Sequence, residues 1–353
     1  MFYLFNLLLI PIYYTLISGL RKKNRDTYFF LFLGIHVILL RALANPFNYV
    51  DTDGYAYAYS SIAEMSLAEA MSSQYMLWGI GYVFINWVLS RISEDPMLLF
   101  IFISIITVGG VVWFYKKTSY SPLSTALIYV LYPMLYLQSF GVIRQHLSIA
   151  IVLFALYYID KIKVSIPLAI VAILIHTSSI VLLPFYLWKV FKLEKWNIIP
   201  LTVVLVTGFI VLRLSMEYVL SFLERYQSEG FGEEGNNNIM PIVVLGLTTL
   251  VFLISRGKNK LLQNESTIFS FIIYGFMISL FGLGLHGAGR LSLMFIYVIP
   301  VAVTYLKKYS KSKAVYIMYF GAILFLIGFY IVNSYDPLKY EYVPLWENVK
   351  NYK

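Results

Sequence analysis

Apolar residues in this chain come in long blocks separated by short polar connections. The blocks fall at 2–20, 27–44, 76–91, 97–115, 122–140, 143–159, 164–176, 177–190, 197–220, 240–255, 267–285, 291–306 and 314–332. A helix needs roughly 20 apolar residues, sometimes fewer, to cross a bilayer. Backbone polar groups in lipid must be satisfied within the segment, so such blocks are helices unless they close a barrel. A barrel would need alternating ten-residue strands, and these are absent. The pattern predicts an all-α polytopic transmembrane helical bundle, with one integral membrane domain over residues 1–353. It holds about 12 spans plus a re-entrant or interfacial segment.

Basic clusters set the expected orientation. Arg21–Arg25, Lys116-Lys117, Asp160–Lys163, Lys189–Lys195, Arg256–Lys260 and Lys307–Lys313 sit between blocks, where the positive-inside rule puts cytoplasmic loops. The outer side then receives 45–75, the turns at 140–146 and 176–178, 221–239, 284–290 and the tail 333–353. One stretch resists this scheme. Between Asn45 outside and Lys116 inside the number of crossings must be odd, yet two apolar blocks lie there. Making 76–91 re-entrant or interfacial repairs the parity; the alternative moves Lys116-Lys117 outside. The loops near 45–75 and 221–239 are the largest outer segments. Ser60–Met71 reads as an amphipathic helix lying on the membrane.

Composition agrees with this reading. The chain is 60% hydrophobic and 13% charged, whereas soluble domains carry about a quarter charged residues. The 31 Tyr suit interfaces, where a ring is buried and its hydroxyl stays wet. The net charge of +9 is explained by the loop clusters, so no nucleic-acid partner is expected. With no Cys, disulfides, thiolate nucleophiles and Cys metal sites are excluded. The first block lacks a preceding basic region and a following small-residue cleavage site, so it reads as a span and not a cleaved signal.

Two glycine patterns mislead. Gly230-x-Gly232-x-x-Gly235 and Gly282-x-Gly284-x-x-Gly287 match the dinucleotide fingerprint, but neither sits in a strand–helix unit. Asp51-x-Asp53 matches the metal-holding pair of soluble glycosyltransferases, yet no second carboxylate cluster lies nearby. No metal and no cofactor are expected.

Ionisable groups in membrane segments are costly and mark function. Arg144 opens an apolar helix in Gly141-Val142-Ile143-Arg144-Gln145-His146. Its planar fork suits phosphate oxygens; an Arg snorkelling to headgroups is the competing reading. His176 occupies the polar turn Leu174–Ser179, where a neutral imidazole can act as a base or the turn can merely cap a helix. Arg290 follows His286-Gly287-Ala288-Gly289, Arg225 lies in the 221–239 loop, and Arg41 ends the second span. Together with His146, these put several cations on the outer side. Such a site suits an anionic, phosphorylated, lipid-borne substrate.

These residues carry a resemblance. Arg41, then Asp51-Thr52-x-x-Tyr55, then Gly141-x-x-Arg144-Gln145, then Ile175-His176-x-Ser178-Ser179, then Gly289-Arg290, resemble the EpsG family, whose members are similar in role to Wzy-type polymerases of exopolysaccharide, capsule and O-antigen. The likeness covers residues from about 41 to 300. His146 and Ser148 depart from the more uniformly small, apolar helix start expected there, and 221–239 finds no counterpart. The resemblance implies a multi-pass enzyme of the bacterial cytoplasmic (inner) membrane. It would join oligosaccharide repeats carried on undecaprenyl pyrophosphate, with arginines stabilising the leaving pyrophosphate. His176, Asp51 and Arg144 are the catalytic candidates, with His176 or Asp51 as base. Arg41, Tyr55, Gln145, His146, Arg225, His286 and Arg290 are the substrate-binding candidates. The lipid-linked oligosaccharide and membrane lipids are the expected partners, with a flippase and a chain-length regulator as further candidates. Two other readings stay open: a ligase-like or GT-C-type glycosyltransferase using a polyprenyl donor, and a transporter without chemistry.

Overall fold

Hydropathy marks most of the helices, and the apolar block carrying Pro133 is one that does not run as a continuous helix. The computed structural model describes residues 2–49, 51–190, 240–256, 262–281, 288–309 and 313–334. Every regular element among them is helical. In chain order these are α1 (Phe2–Leu16), α2 (Lys22–Ala42), α3 (Thr52–Ala63), α4 (Leu67–Ser72), α5 (Ile80–Ser90), α6 (Met97–Thr118), α7 (Pro122–Leu131) and α8 (Ile143–Tyr157). Then follow α9 (Ile162–Ile175), α10 (Leu183–Val190), α11 (Met240–Arg256), α12 (Gln263–Phe281), α13 (Ala288–Ile296), α14 (Ile299–Tyr309) and α15 (Lys313–Ser334). The expected span 197–220, the loop 221–239, both glycine patterns, Arg225 and His286 lie outside the described residues.

Among the described residues, two stretches combine the length and apolarity to cross a bilayer, Met97–Thr118 and Leu291–Tyr309. Several other apolar helices are shorter. The 15 residues of α8 extend about 22 Å at 1.5 Å per residue, less than the roughly 30 Å of a hydrocarbon core.

Contacts along α2 and α6 settle the parity of the first crossings. Arg41 Nη1 donates to Ile103 O at 3.3 Å at one end. Gly34 faces Val112 midway. Lys22 Nζ lies 6.0 Å from the Tyr120 ring at the other end. The two helices are therefore antiparallel neighbours with a single traverse between Asn45 and Lys116. The intervening α5 has 11 residues, about 16 Å of helix, and does not traverse the bundle. The α8–α9 pair is antiparallel in the same way. Ser148 Oγ donates to Ala172 O at 2.7 Å near one end, and Ser165 Oγ donates to Ala155 O at 2.6 Å near the other.

The described basic clusters meet at one end. Lys22 and Lys308 flank the Tyr120 ring, Lys308 pairs with Glu265 at 2.9 Å, and Lys189 donates to Thr267 at 3.1 Å. The stretch 45–96 forms a cap at the opposite end. The expected single helix over Ser60–Met71 is two helices. α3 stops at Ala63, and Ser66 starts α4 through a capping box with Glu69, which satisfies two otherwise orphan backbone donors. The cap is tied down by Tyr59 Oη donating to Ser93 O at 2.6 Å and Trp87 Nε1 donating to Met65 O at 3.2 Å.

The block 122–140 is not a continuous helix. Pro133 biases Tyr132 towards extended backbone, and Tyr132 adopts φ −87°, ψ 105° as α7 ends. Residues 132–142 then run as buried irregular backbone with one 3-10 turn, Leu137–Phe140. Irregular backbone inside a bundle needs protein partners for its carbonyls. Tyr297 Oη donates to Leu135 O, and Arg41 Nη2 donates to Ser139 O. Arg41 is only 6% exposed, so its guanidinium fastens this broken helix to α6. Arg41, a substrate-binding candidate on sequence, is thus placed on these carbonyls inside the bundle. Arg41→Met leaves the buried Ser139 carbonyl without its donor and is expected to cost about 2 kcal/mol, read as a fall in thermal unfolding midpoint of the detergent-solubilised protein.

Candidate functional site

The site forms where the cap meets the ends of α8 and α9 that lie away from the basic end. It starts with α3. Asp51 precedes this helix in a left-handed conformation, φ 69°, which Asp tolerates better than most residues. Its side chain makes no capping bond and is exposed. Thr52, fully buried, fixes the helix start by donating to Tyr49 O at 2.5 Å. Helical spacing then separates the tyrosines. Tyr55 and Tyr59 share the buried face one turn apart, and Tyr57 points outward at 70% exposure.

Tyr55 is one wall of an aromatic recess. Its ring meets Trp78 edge-on at 5.4 Å and Tyr82 at 5.8 Å. Arg144, from the first turn of α8, enters this recess. Its guanidinium carbon lies 5.1 Å from the Trp78 ring, 5.5 Å from Tyr55 and 5.7 Å from Tyr82. Nη1 donates to Trp78 O at 2.7 Å and Nε to Tyr55 Oη at 3.4 Å. A guanidinium has five N–H donors, so these two bonds orient the fork and leave three donors. Arg144 is half-buried. An arginine merely snorkelling to headgroups needs no such cradle.

The neighbouring wall comes from the end of α9. Gly79 joins Trp78 to α5 with φ +104°, and its Cα lies against the chain that carries His176. A Cβ there would sit 2.7 Å from Leu174 O and 2.8 Å from Ile175 O. Both the backbone angle and the space demand glycine. Gly79→Ala is expected to lower stability by about 2 kcal/mol and to reduce activity by displacing Trp78 from Arg144; a thermal melt and an activity assay on the same preparation check both effects.

His176 terminates α9 in extended backbone, φ −150°, ψ 114°, and is half-buried. Its N–H donates to Ala172 O at 2.9 Å, and its carbonyl accepts from Ser179 N at 3.0 Å. Ser148, one turn along α8 from Arg144, donates to the same Ala172 O and meets Ser179 Oγ at 2.6 Å. The first two turns of α8 are thus bonded directly to the segment bearing His176. Ser148, which stands where a more uniformly apolar helix start was expected, supplies that bond.

His146 is two residues from Arg144 and projects to the opposite side of α8. It is fully buried, with Nδ1 2.5 Å from Tyr297 Oη. The Tyr297 hydroxyl spends its proton on Leu135 O, so Nδ1 carries the hydrogen of this pair and Nε2 is left as a buried acceptor without a partner. Arg41 and His176 both act on this ring electrostatically. Gln145 is 2% exposed. His146, Gln145 and Arg41 therefore lie behind the recess, inside the bundle. Arg290 opens α13, and its backbone alone is described. Partial burial raises the Asp53 carboxyl above its ordinary range. Among the described residues no group of three His, Cys, Asp or Glu side chains gathers as a metal site.

Of the nine expected residues other than Arg41, the structure brings Asp51, Tyr55, Arg144 and His176 to one region. Trp78, Tyr82 and Gly79 were not anticipated. The Gly79-Ile80-Gly81 doublet is the signal that could have marked the close approach, since Gly81 also abuts Leu174; nothing in the sequence singles out Tyr82 among 31 tyrosines.

The profile of the EpsG family matches residues 29–352. The chain belongs to the EpsG family. This match takes in the cap, the Arg144 recess and the His176 turn together. EpsG proteins are Wzy-like polymerases, which places this EpsG chain broadly among membrane proteins of polysaccharide biosynthesis with polymerase-type glycosyltransferase activity. No curated protein and no solved structure matches it significantly.

Proposed function

We propose that this EpsG chain polymerises oligosaccharide repeats carried on undecaprenyl pyrophosphate, at the outer face of a bacterial cytoplasmic membrane that it crosses about twelve times. The basic end lies in the cytoplasm, as the positive-inside rule asks, and the cap with its recess faces out. The observation that carries the reading is the cradled Arg144: a permanent cation with three free donors, held beside the His176 turn. In the reaction a hydroxyl of the incoming lipid-linked repeat attacks the anomeric carbon of the growing chain. The bond from that carbon to the pyrophosphate oxygen breaks, and the electron pair leaves with the lipid pyrophosphate. Arg144 stabilises the charge developing on that leaving group. His176 takes the hydroxyl proton, with Asp51 as the other candidate base. Arg290, Arg225 and His286 are assigned to substrate binding on their sequence positions. Tyr55 holds the arginine.

One feature keeps a second reading. The Asp51 carboxylate is exposed and unspent on its helix, as a GT-C-type transferase acting on a polyprenyl donor would need. Product length separates the two readings: polymerisation gives a ladder, transfer to a fixed acceptor a single added unit.

A further inference from the structure

At the basic end, away from the recess, α6, the α8–α9 turn and the start of α12 enclose a groove of about 520 Å³. Ligand sites fall in the range of roughly 300–1,000 Å³. Its floor is aromatic. Trp113 stacks on Phe154 at 4.4 Å and 26°, and meets Tyr157 edge-on at 5.0 Å. Its rim is polar: Lys117 stands one turn beyond Trp113 on α6, Asp160 and Lys161 come from the turn, and Asn264 from α12. Lys161 Nζ lies 5.8 Å from the Tyr158 ring. Among the described residues neither lysine nor Asp160 is in an ion pair. The rim residues Lys117, Asp160, Lys161 and Asn264 are exposed, whereas Trp113 and both tyrosines are half-buried.

An apolar floor under two ammonium groups recognises an amphiphile with a phosphate head. The carboxylate and amide between the lysines add partners for hydroxyls. A quaternary ammonium head is disfavoured by the same lysines. We infer that this groove binds the phosphate head of an anionic, hydroxyl-bearing membrane lipid such as phosphatidylglycerol, with Lys117 and Lys161 on the phosphate, Asp160 and Asn264 on the hydroxyls, and Trp113 beneath the glycerol backbone. The site is independent of the polymerase chemistry.

The test uses the full chain in detergent, titrated with dioleoyl phosphatidylglycerol, dioleoyl phosphatidylcholine or glycerol 3-phosphate, and read by native mass spectrometry and thermal shift. Phosphatidylglycerol is expected to be retained at one molecule per chain and to raise the unfolding midpoint; phosphatidylcholine is not. Its affinity is expected to fall about tenfold in the Lys117→Gln/Lys161→Gln variant. If glycerol 3-phosphate binds as tightly and is lost in the same variant, the phosphate site stands and its natural source is soluble. Equal binding of the two lipids, or undiminished phosphatidylglycerol binding by the double variant, overturns the assignment. Should the double variant not fold, Lys161→Gln alone is expected to weaken binding about threefold, and an unchanged affinity there overturns it equally.

Discussion

Arg144→Lys is expected to lower the polymerisation rate by about 100-fold or more, the scale seen when one preorganised donor to a developing charge is removed. The substitution keeps a positive charge but loses the fork. A guanidinium bridges Trp78 O and Tyr55 Oη while presenting further donors; a lysine ammonium is a compact point charge that cannot hold both anchors and a pyrophosphate at once. Its contact with three aromatic faces is also weaker. The loss belongs in kcat, because the charge on the leaving oxygen develops only as the glycosidic bond breaks. Folding should be preserved, since Arg144 is half-buried at a helix start. Initial rates of ladder formation at saturating lipid-linked substrate check this, and a rate within threefold of the parent protein would remove Arg144 from the chemistry.

His176→Ala is expected to lower kcat by about 100- to 10,000-fold, the contribution typical of a positioned general base. The alanine keeps the backbone bonds to Ala172 and Ser179, so the α8–α9 junction survives the change. A drop in kcat with a preserved melting temperature therefore isolates the imidazole. Asp51→Asn is the companion variant. If it falls by a similar factor while His176→Ala does not, the base is the carboxylate.

The sequence carried the helical class and the basic end, and it marked Arg144 and His176, because all of these follow from residue types at positions where lipid makes charge expensive. It also identified 76–91 as a segment that breaks parity, and the α2–α6 pairing explains why: Arg41 and Lys22 meet the two ends of one helix. Other features depend on tertiary partners that no local pattern announces. Arg41 and Arg144 look alike in sequence, each an arginine at the outer end of an apolar block. One is buried on the carbonyls of a broken helix, and the other stands half-open in an aromatic recess. The break itself follows from Pro133, but hydropathy alone reads straight through it. His146 and Arg144 are near neighbours in sequence, and helical geometry turns them to opposite sides, so His146 is buried in the bundle while Arg144 enters the recess. Ser60–Met71 is amphipathic enough to suggest one helix, and the Ser66–Glu69 capping box restarts the chain in the middle of it.

The most direct measurement of the central claim incubates the purified chain in nanodiscs with an undecaprenyl-pyrophosphate oligosaccharide from its own gene neighbourhood and resolves the products on a gel. A ladder is expected that disappears in both Arg144→Ala and His176→Ala while each variant stays folded. A single added unit, no product from the folded protein, or a ladder that persists in both variants would contradict it.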